Sequence, residues 1–152
     1  MGTLRSVIAI PLGVVVGMAT MILLLIPCFL LYPLPSGLDI YDPADAEAFG
    51  HHLSALPLSA LALVWLAHAG GAFAAAAVCR LLEGVKVIGE LLIIGGVFTL
   101  LGLVNAASGT YPLWFVVVDL VIYMPAALLG GMLFDVVAHS HKTTAAASPK
   151  SA

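Results

Sequence analysis

Residues 7–31 read VIAIPLGVVVGMATMILLLIPCFLL, and no charged side chain interrupts them. A helix of about 20 apolar residues spans a hydrocarbon core of about 30 Å. Inside lipid, only a helix lets a single open segment satisfy its own backbone N–H and C=O groups. Residues 7–31 therefore predict a membrane-crossing helix. Three more stretches of this kind follow, over residues 55–79, 87–107 and 113–137. The expected fold is all-α, a four-helix transmembrane bundle.

The basic residues set the expected orientation. Arg5 precedes the first segment, Arg80 and Lys86 lie between the second and third, and Lys142 and Lys150 follow the fourth. With four crossings, all of them fall on one side, which the positive-inside bias makes cytoplasmic. Both termini are thus predicted inside. The connection over residues 32–54 carries Asp39, Asp42, Asp45 and Glu47 without Lys or Arg, and is predicted to face out. Tyr32, Tyr41, Tyr111 and Trp114 fall near the predicted outer boundary, where aromatic belts form.

Composition excludes most alternatives. Of 152 residues, 62% are hydrophobic and 9% charged, which is foreign to a soluble domain. One bundle over residues 1–141 fills the chain, and a polar tail over 142–152 is expected to be disordered. The net charge is −3, with no basic stripe for nucleic acid. Cys28 and Cys79 should lie near opposite ends of the bundle. Their Cα atoms would then be too far apart for a disulfide, which needs about 7 Å or less.

Small residues recur at helical spacing. Gly13 and Gly17 form a GxxxG step in the first segment. Ala67, Gly71 and Ala75 repeat it in the second, Gly95 and Gly102 narrow one face of the third, and Ala126 and Gly130 do so in the fourth. In lipid, helices associate through close packing and polar contacts, so these stripes predict a tight bundle. In the outer connection, Asp42-Pro43-Ala44-Asp45 reads as a helix start, with Asp as N-cap and Pro at the first helical position. A short surface helix from Pro43 to about Leu53 is expected, with Phe49 and Leu53 on one face.

Ionisable groups at membrane depth are costly and mark candidate sites. His68, Asp119 and Tyr123 are predicted at similar depth. If the second and fourth segments pack, they can form one hydrogen-bonded cluster, with Asn105 in reach. Two readings follow: a polar clamp that fixes helix register, or a step in proton or ion conduction. The clamp is preferred, because only one carboxylate lies deep. Glu90 and Asp135 stand near the inner boundary, where pairing with Arg80 or Lys86 is expected. Glu47 and His51, four apart on the surface helix, form a weak candidate metal pair with Asp45 or His52. His139 and His141 are a looser one. Neither has the spacing of a recognised metal site. A solvated acidic connection is preferred. No catalytic or cofactor motif is present, so no enzyme activity and no cofactor are expected.

Leu31-Tyr32-Pro33, Pro35, Gly37-Leu38-Asp39, Asp42, Leu56-Pro57, Gly70-Gly71, Asn105, Pro112-Leu113-Trp114-Phe115 and Pro125-Ala126-Ala127 occur in an order that resembles a group of small, uncharacterised four-helix bacterial integral membrane proteins. The resemblance implies a multi-pass protein of a bacterial inner membrane, with no activity to carry over. His68 and Asp119 stand where that pattern leads one to expect apolar or small residues. The function expected is non-enzymatic: a homo-oligomer, or an accessory subunit bound to another membrane protein, in contact with the lipid bilayer. The alternative is a small transporter or ion conductor using Asp119, Tyr123 and His68.

Overall fold

The structure is a computed structural model that describes residues 2–39, 42–83, 88–108 and 111–147. Tyr41, Lys86 and Lys150, which entered the topology argument, lie outside these residues. So do the side chains of Arg5, Asp135, His139, His141 and Lys142.

The chain forms α1 (Gly2–Leu31), a 3-10 turn (Pro43–Asp45), α2 (Ala46–Ala55), α3 (Leu58–Glu83), α4 (Ile88–Ser108) and α5 (Leu113–Ala147). No strand occurs among the described residues. Within α1, α3, α4 and α5 lie four segments long and apolar enough to cross a membrane: Val7–Leu31, Leu58–Leu82, Ile88–Ala107 and Leu113–Phe134. The protein is an all-helical, four-helix, multi-pass membrane protein.

Two boundaries differ from expectation. The second crossing begins at Leu58, because Ala55 belongs to α2. Leu56, held extended by the following proline (φ −67°, ψ 142°), separates the two helices. Pro57 then opens α3, its carbonyl accepting from Ala60 and Leu61. At the other end, the tail expected to be disordered from Lys142 is helical as far as Ala147. The cause is local: no Gly or Pro lies between Gly131 and Pro149, and Ala145–Ala147 are strong helix formers. Polar composition argues against core burial, but it does not by itself stop a helix.

α3 is the hub. It packs along α1 on one side and α5 on the other, and touches α4. α4 leans mainly on α5 and lightly on α1. The α1–α3 pair is antiparallel: Cys28 Sγ lies 3.7 Å from Ala60 O near one end, and Gly13 meets Ala75 further along. Cys79, nearer the other end, is likewise buried, and the two cysteines are not bridged to each other.

The predicted small stripes are the seams. A Cβ on Gly13 would stand 2.7 Å from Ala75 O, and one on Gly17 would stand 2.6 Å from Gly71 O. Each is closer than real atoms allow, so glycine is what admits this backbone approach. On α4, Gly95 faces Met124 and Gly102 faces the Tyr123 ring. On α5, Gly130 abuts the Phe73 backbone. The core between these seams is built of Ala72, Ala75, Ala76 and Ala127, with Leu91, Ile94 and Phe98 supplying bulk. Lipid tails are as apolar as these side chains, so dispersion at close range does the holding.

The short surface helix forms where expected, in two parts. Asp42 caps the 3-10 turn, its Oδ1 accepting from Ala44 N at 2.9 Å. Asp45 Oδ2 accepts from Asp39 N at 2.8 Å and closes the preceding loop. α2 then lays Leu53 inward, and the Phe49 ring meets Tyr111 edge-on at 5.9 Å. Tyr32 Oη and Ser59 Oγ, 2.9 Å apart, tie the end of α1 to the start of α3 at this same end.

Candidate functional site

The α3–α5 seam brings three of the four polar residues together. His68 sits on α3, with Asp119 and Tyr123 one turn apart on α5, a spacing that puts both on one face. His68 Nδ1 lies 2.5 Å from Asp119 Oδ1 and 3.1 Å from Tyr123 Oη. Tyr123 donates to Asp119 Oδ2 at 3.3 Å. All three residues are buried, at 9%, 6% and 3% relative exposure. The parallel run of α3 and α5 is what allows this. Trp65 meets Phe115, His68 meets Asp119 and Phe73 meets Gly130, stepping down both helices together.

Rings enclose the cluster. His68 stacks on Tyr123 at 5.7 Å, and Phe98 of α4 lies against the far side of the seam, 6.0 Å from Tyr123. Towards α2, Trp65 stacks on Phe115 at 5.6 Å, with Trp114 edge-on to both. Phe115 in turn stacks on Tyr111. A continuous file of rings therefore joins Phe49 on α2 to the helices that hold the cluster. Of these rings, Tyr111 and Trp114 stand out in the sequence as interfacial anchors. That the rings also contact one another depends on the packing of α3 against α5.

Asn105 does not join the three. Its Nδ2 donates to Tyr111 Oη at 3.4 Å. The reason is depth: Asn105 is in the last turn of α4, beside the α2 end of the bundle, whereas Asp119 lies further in. Burial raises the Tyr111 phenol above its usual value; the hydrogen bond from Asn105 opposes the rise and the nearby Asp119 adds to it.

The candidate metal pair is laid out on the surface of α2. His51 Nε2 stands 3.8 Å from Glu47 Oε1, and both side chains are exposed. Asp45 is turned to the loop amide of Asp39 and is not aimed at this pair. Among the described residues no group of three or more potential metal ligands forms.

A shallow apolar pocket of about 150 Å³ lies between α3 and α5, well away from the polar cluster, lined by Phe73, Ala77, Gly130, Leu133 and Phe134. Its lining offers nothing for chemistry.

No known protein family, curated protein or solved structure matches this chain.

Proposed function

We propose that the protein is a non-enzymatic component of a membrane assembly, working as a homo-oligomer or as an accessory subunit of a larger complex. The distribution of Lys and Arg favours both termini on the cytoplasmic side, and the resemblance to small bacterial membrane proteins favours a bacterial inner membrane as the setting. In this reading His68, Asp119 and Tyr123 are a clamp that fixes the register of α3 against α5.

The observation that carries the reading is the mutual satisfaction of these three groups. His68 Nδ1, both Asp119 carboxylate oxygens and Tyr123 Oη are engaged with one another at 2.5–3.3 Å. A conduction path needs further ionisable groups in sequence. Below Tyr123, α5 offers no ionisable side chain until Asp135, twelve residues or roughly 18 Å further on. The test is native mass spectrometry of the protein released gently from its own membrane. A defined hetero-complex or a homo-oligomer supports the proposal. A lone monomer sinks it.

A second reading keeps one specific observation in its favour: the carboxylate and imidazole lie in direct contact at membrane depth. A small transporter or ion conductor built on them would lose its flux in Asp119→Asn with its fold intact. Proteoliposome flux measurements on that variant decide between the two.

A further inference from the structure

Pro125 interrupts the hydrogen-bond ladder of α5 inside the membrane. In an α-helix the carbonyl of Val121 accepts from the backbone N–H four residues on, and that residue is Pro125, which has none. Both residues lie on the outside of the bundle: Val121 is 65% exposed, and Pro125 is exposed as well. The carbonyl between them therefore faces lipid. Val121 stands eight residues into the Leu113–Phe134 span, about 12 Å deep, and its carbonyl points along α5 towards the centre of the membrane. Pro27 deprives Leu23 O on α1 in the same way, but that carbonyl points towards the nearer boundary.

A carbonyl at this depth needs a donor. No water reaches the hydrocarbon core, and acyl tails have no donor to give. Where proline frees a backbone group in a membrane helix, a Ser or Thr side chain or a neighbouring helix supplies the missing partner. The α5 span contains no Ser or Thr. Thr20 and Thr99 donate within their own helices, at 2.9 Å to Val16 O and 2.8 Å to Gly95 O. Ser59 and Tyr32 hold each other, and Asn105 donates to Tyr111, all at the α2 end of the bundle. His68 and Tyr123 are turned inward to Asp119. Among the described residues no side-chain donor faces lipid at the depth of Val121 O, so a second copy of the chain would bring none.

We propose that α5 docks a transmembrane helix of a different protein, which presents a hydroxyl or a side-chain amide to Val121 O. The landing surface is the ridge of Leu113, Val117, Val121, Pro125, Leu129 and Leu133, spaced four apart along the span and all exposed. A ridge of this spacing packs into the groove of a neighbouring helix. The inference rests on the reading of the protein as part of a membrane assembly and, within it, selects the accessory subunit over the homo-oligomer.

The test is photocrosslinking in the native membrane, with p-benzoylphenylalanine in place of Leu129 in the full chain. The expected adduct joins it to a membrane segment of another protein, and that segment carries Ser, Thr, Asn or Gln. Pro125→Ala restores the missing N–H and gives Val121 O a partner within α5. It should lower the adduct yield by about three-fold or more, the worth of one hydrogen bond between membrane helices, without lowering the thermal midpoint. Val121→Trp, at an exposed position, blocks the same ridge and gives a second reading of the yield if Pro125→Ala disturbs the fold. An adduct with a second copy overturns the inference and leaves the assembly reading standing. So does a partner segment without a donor, a yield that neither variant changes, or a complex in native mass spectrometry that gives no adduct at this position. A lone monomer in native mass spectrometry removes both.

Discussion

Gly17 on α1 and Gly71 on α3 meet backbone to backbone. A Cβ on Gly17 would stand 2.6 Å from Gly71 O, and one on Gly71 would stand 2.9 Å from Gly17 O. The contact is reciprocal, so it fixes both the distance and the register of the pair. Phe98 of α4 closes it from the side, 2.7 Å from the same Gly17 position.

Gly17→Leu should therefore separate α1 from α3. A side chain at that point meets backbone, which cannot swing aside, and overpacking of this kind costs about 1–3 kcal/mol or more. Gly37→Leu is no control, because Gly37 has φ +87° and would be strained by any side chain. Gly96→Leu is the better one, as nothing stands within 4 Å of its Cβ position. Thermal unfolding in detergent should show a clear drop for Gly17→Leu and little change for Gly96→Leu. Equal midpoints would refute the seam.

The His68–Asp119 pair should show coupling. Removing either partner leaves a buried polar group unmatched, whereas removing both leaves none. Hydrogen bonds between membrane helices couple by about 0.6 kcal/mol on average and up to about 1.7 kcal/mol. A double-mutant cycle of His68→Leu and Asp119→Leu, read by reversible unfolding in bicelles, should give a coupling within or above that range. Additive losses would mean that the two groups do not interact.

Phe49 is the peg that holds α2 to the bundle, through its edge-on contact with Tyr111 at 5.9 Å. Phe49→Ala should release α2 while the four crossings stay packed. Limited proteolysis should cut faster between Ser36 and Leu56, with the thermal midpoint nearly unchanged. A large fall in the midpoint would show that α2 carries more of the stability than this contact explains.

Tyr111 gives a pH dependence with a definite sign. Its phenol is raised by burial, so the folded state favours the neutral form. That contribution is fully present below the unfolded value of about 10, and it is lost as pH rises through the higher folded value. Wild type should lose stability more steeply than Tyr111→Phe once the pH passes about 10. Parallel stability curves for the two would remove Tyr111 from the account.

Sequence alone determined the number of crossings, because helix length and apolar composition must match the thickness of a bilayer whatever the neighbouring segments do. It also located the cap at Asp42, which opens the 3-10 turn leading into α2, and the small faces at Gly13, Gly17 and Gly71, since local backbone chemistry and helical spacing are written along a single segment. It could not show which seam each face enters. Ala67, Gly71 and Ala75 on one helix are compatible with any neighbour, and only tertiary packing put Gly71 against α1. The polar cluster divides in the same way. His68, Asp119 and Tyr123 drew attention because they are costly in lipid, but their contact depended on α3 and α5 lying side by side and in parallel. Asn105 shows the limit of depth matching: a difference of a few residues along α4 took it to Tyr111. The end of α5 shows the converse, where polarity pointed to disorder and the helix-forming preference of Ala145–Ala147 carried the helix on. Periodicity and length are properties of one helix, whereas partner choice is a property of the assembled bundle, where small differences in close packing decide which faces meet.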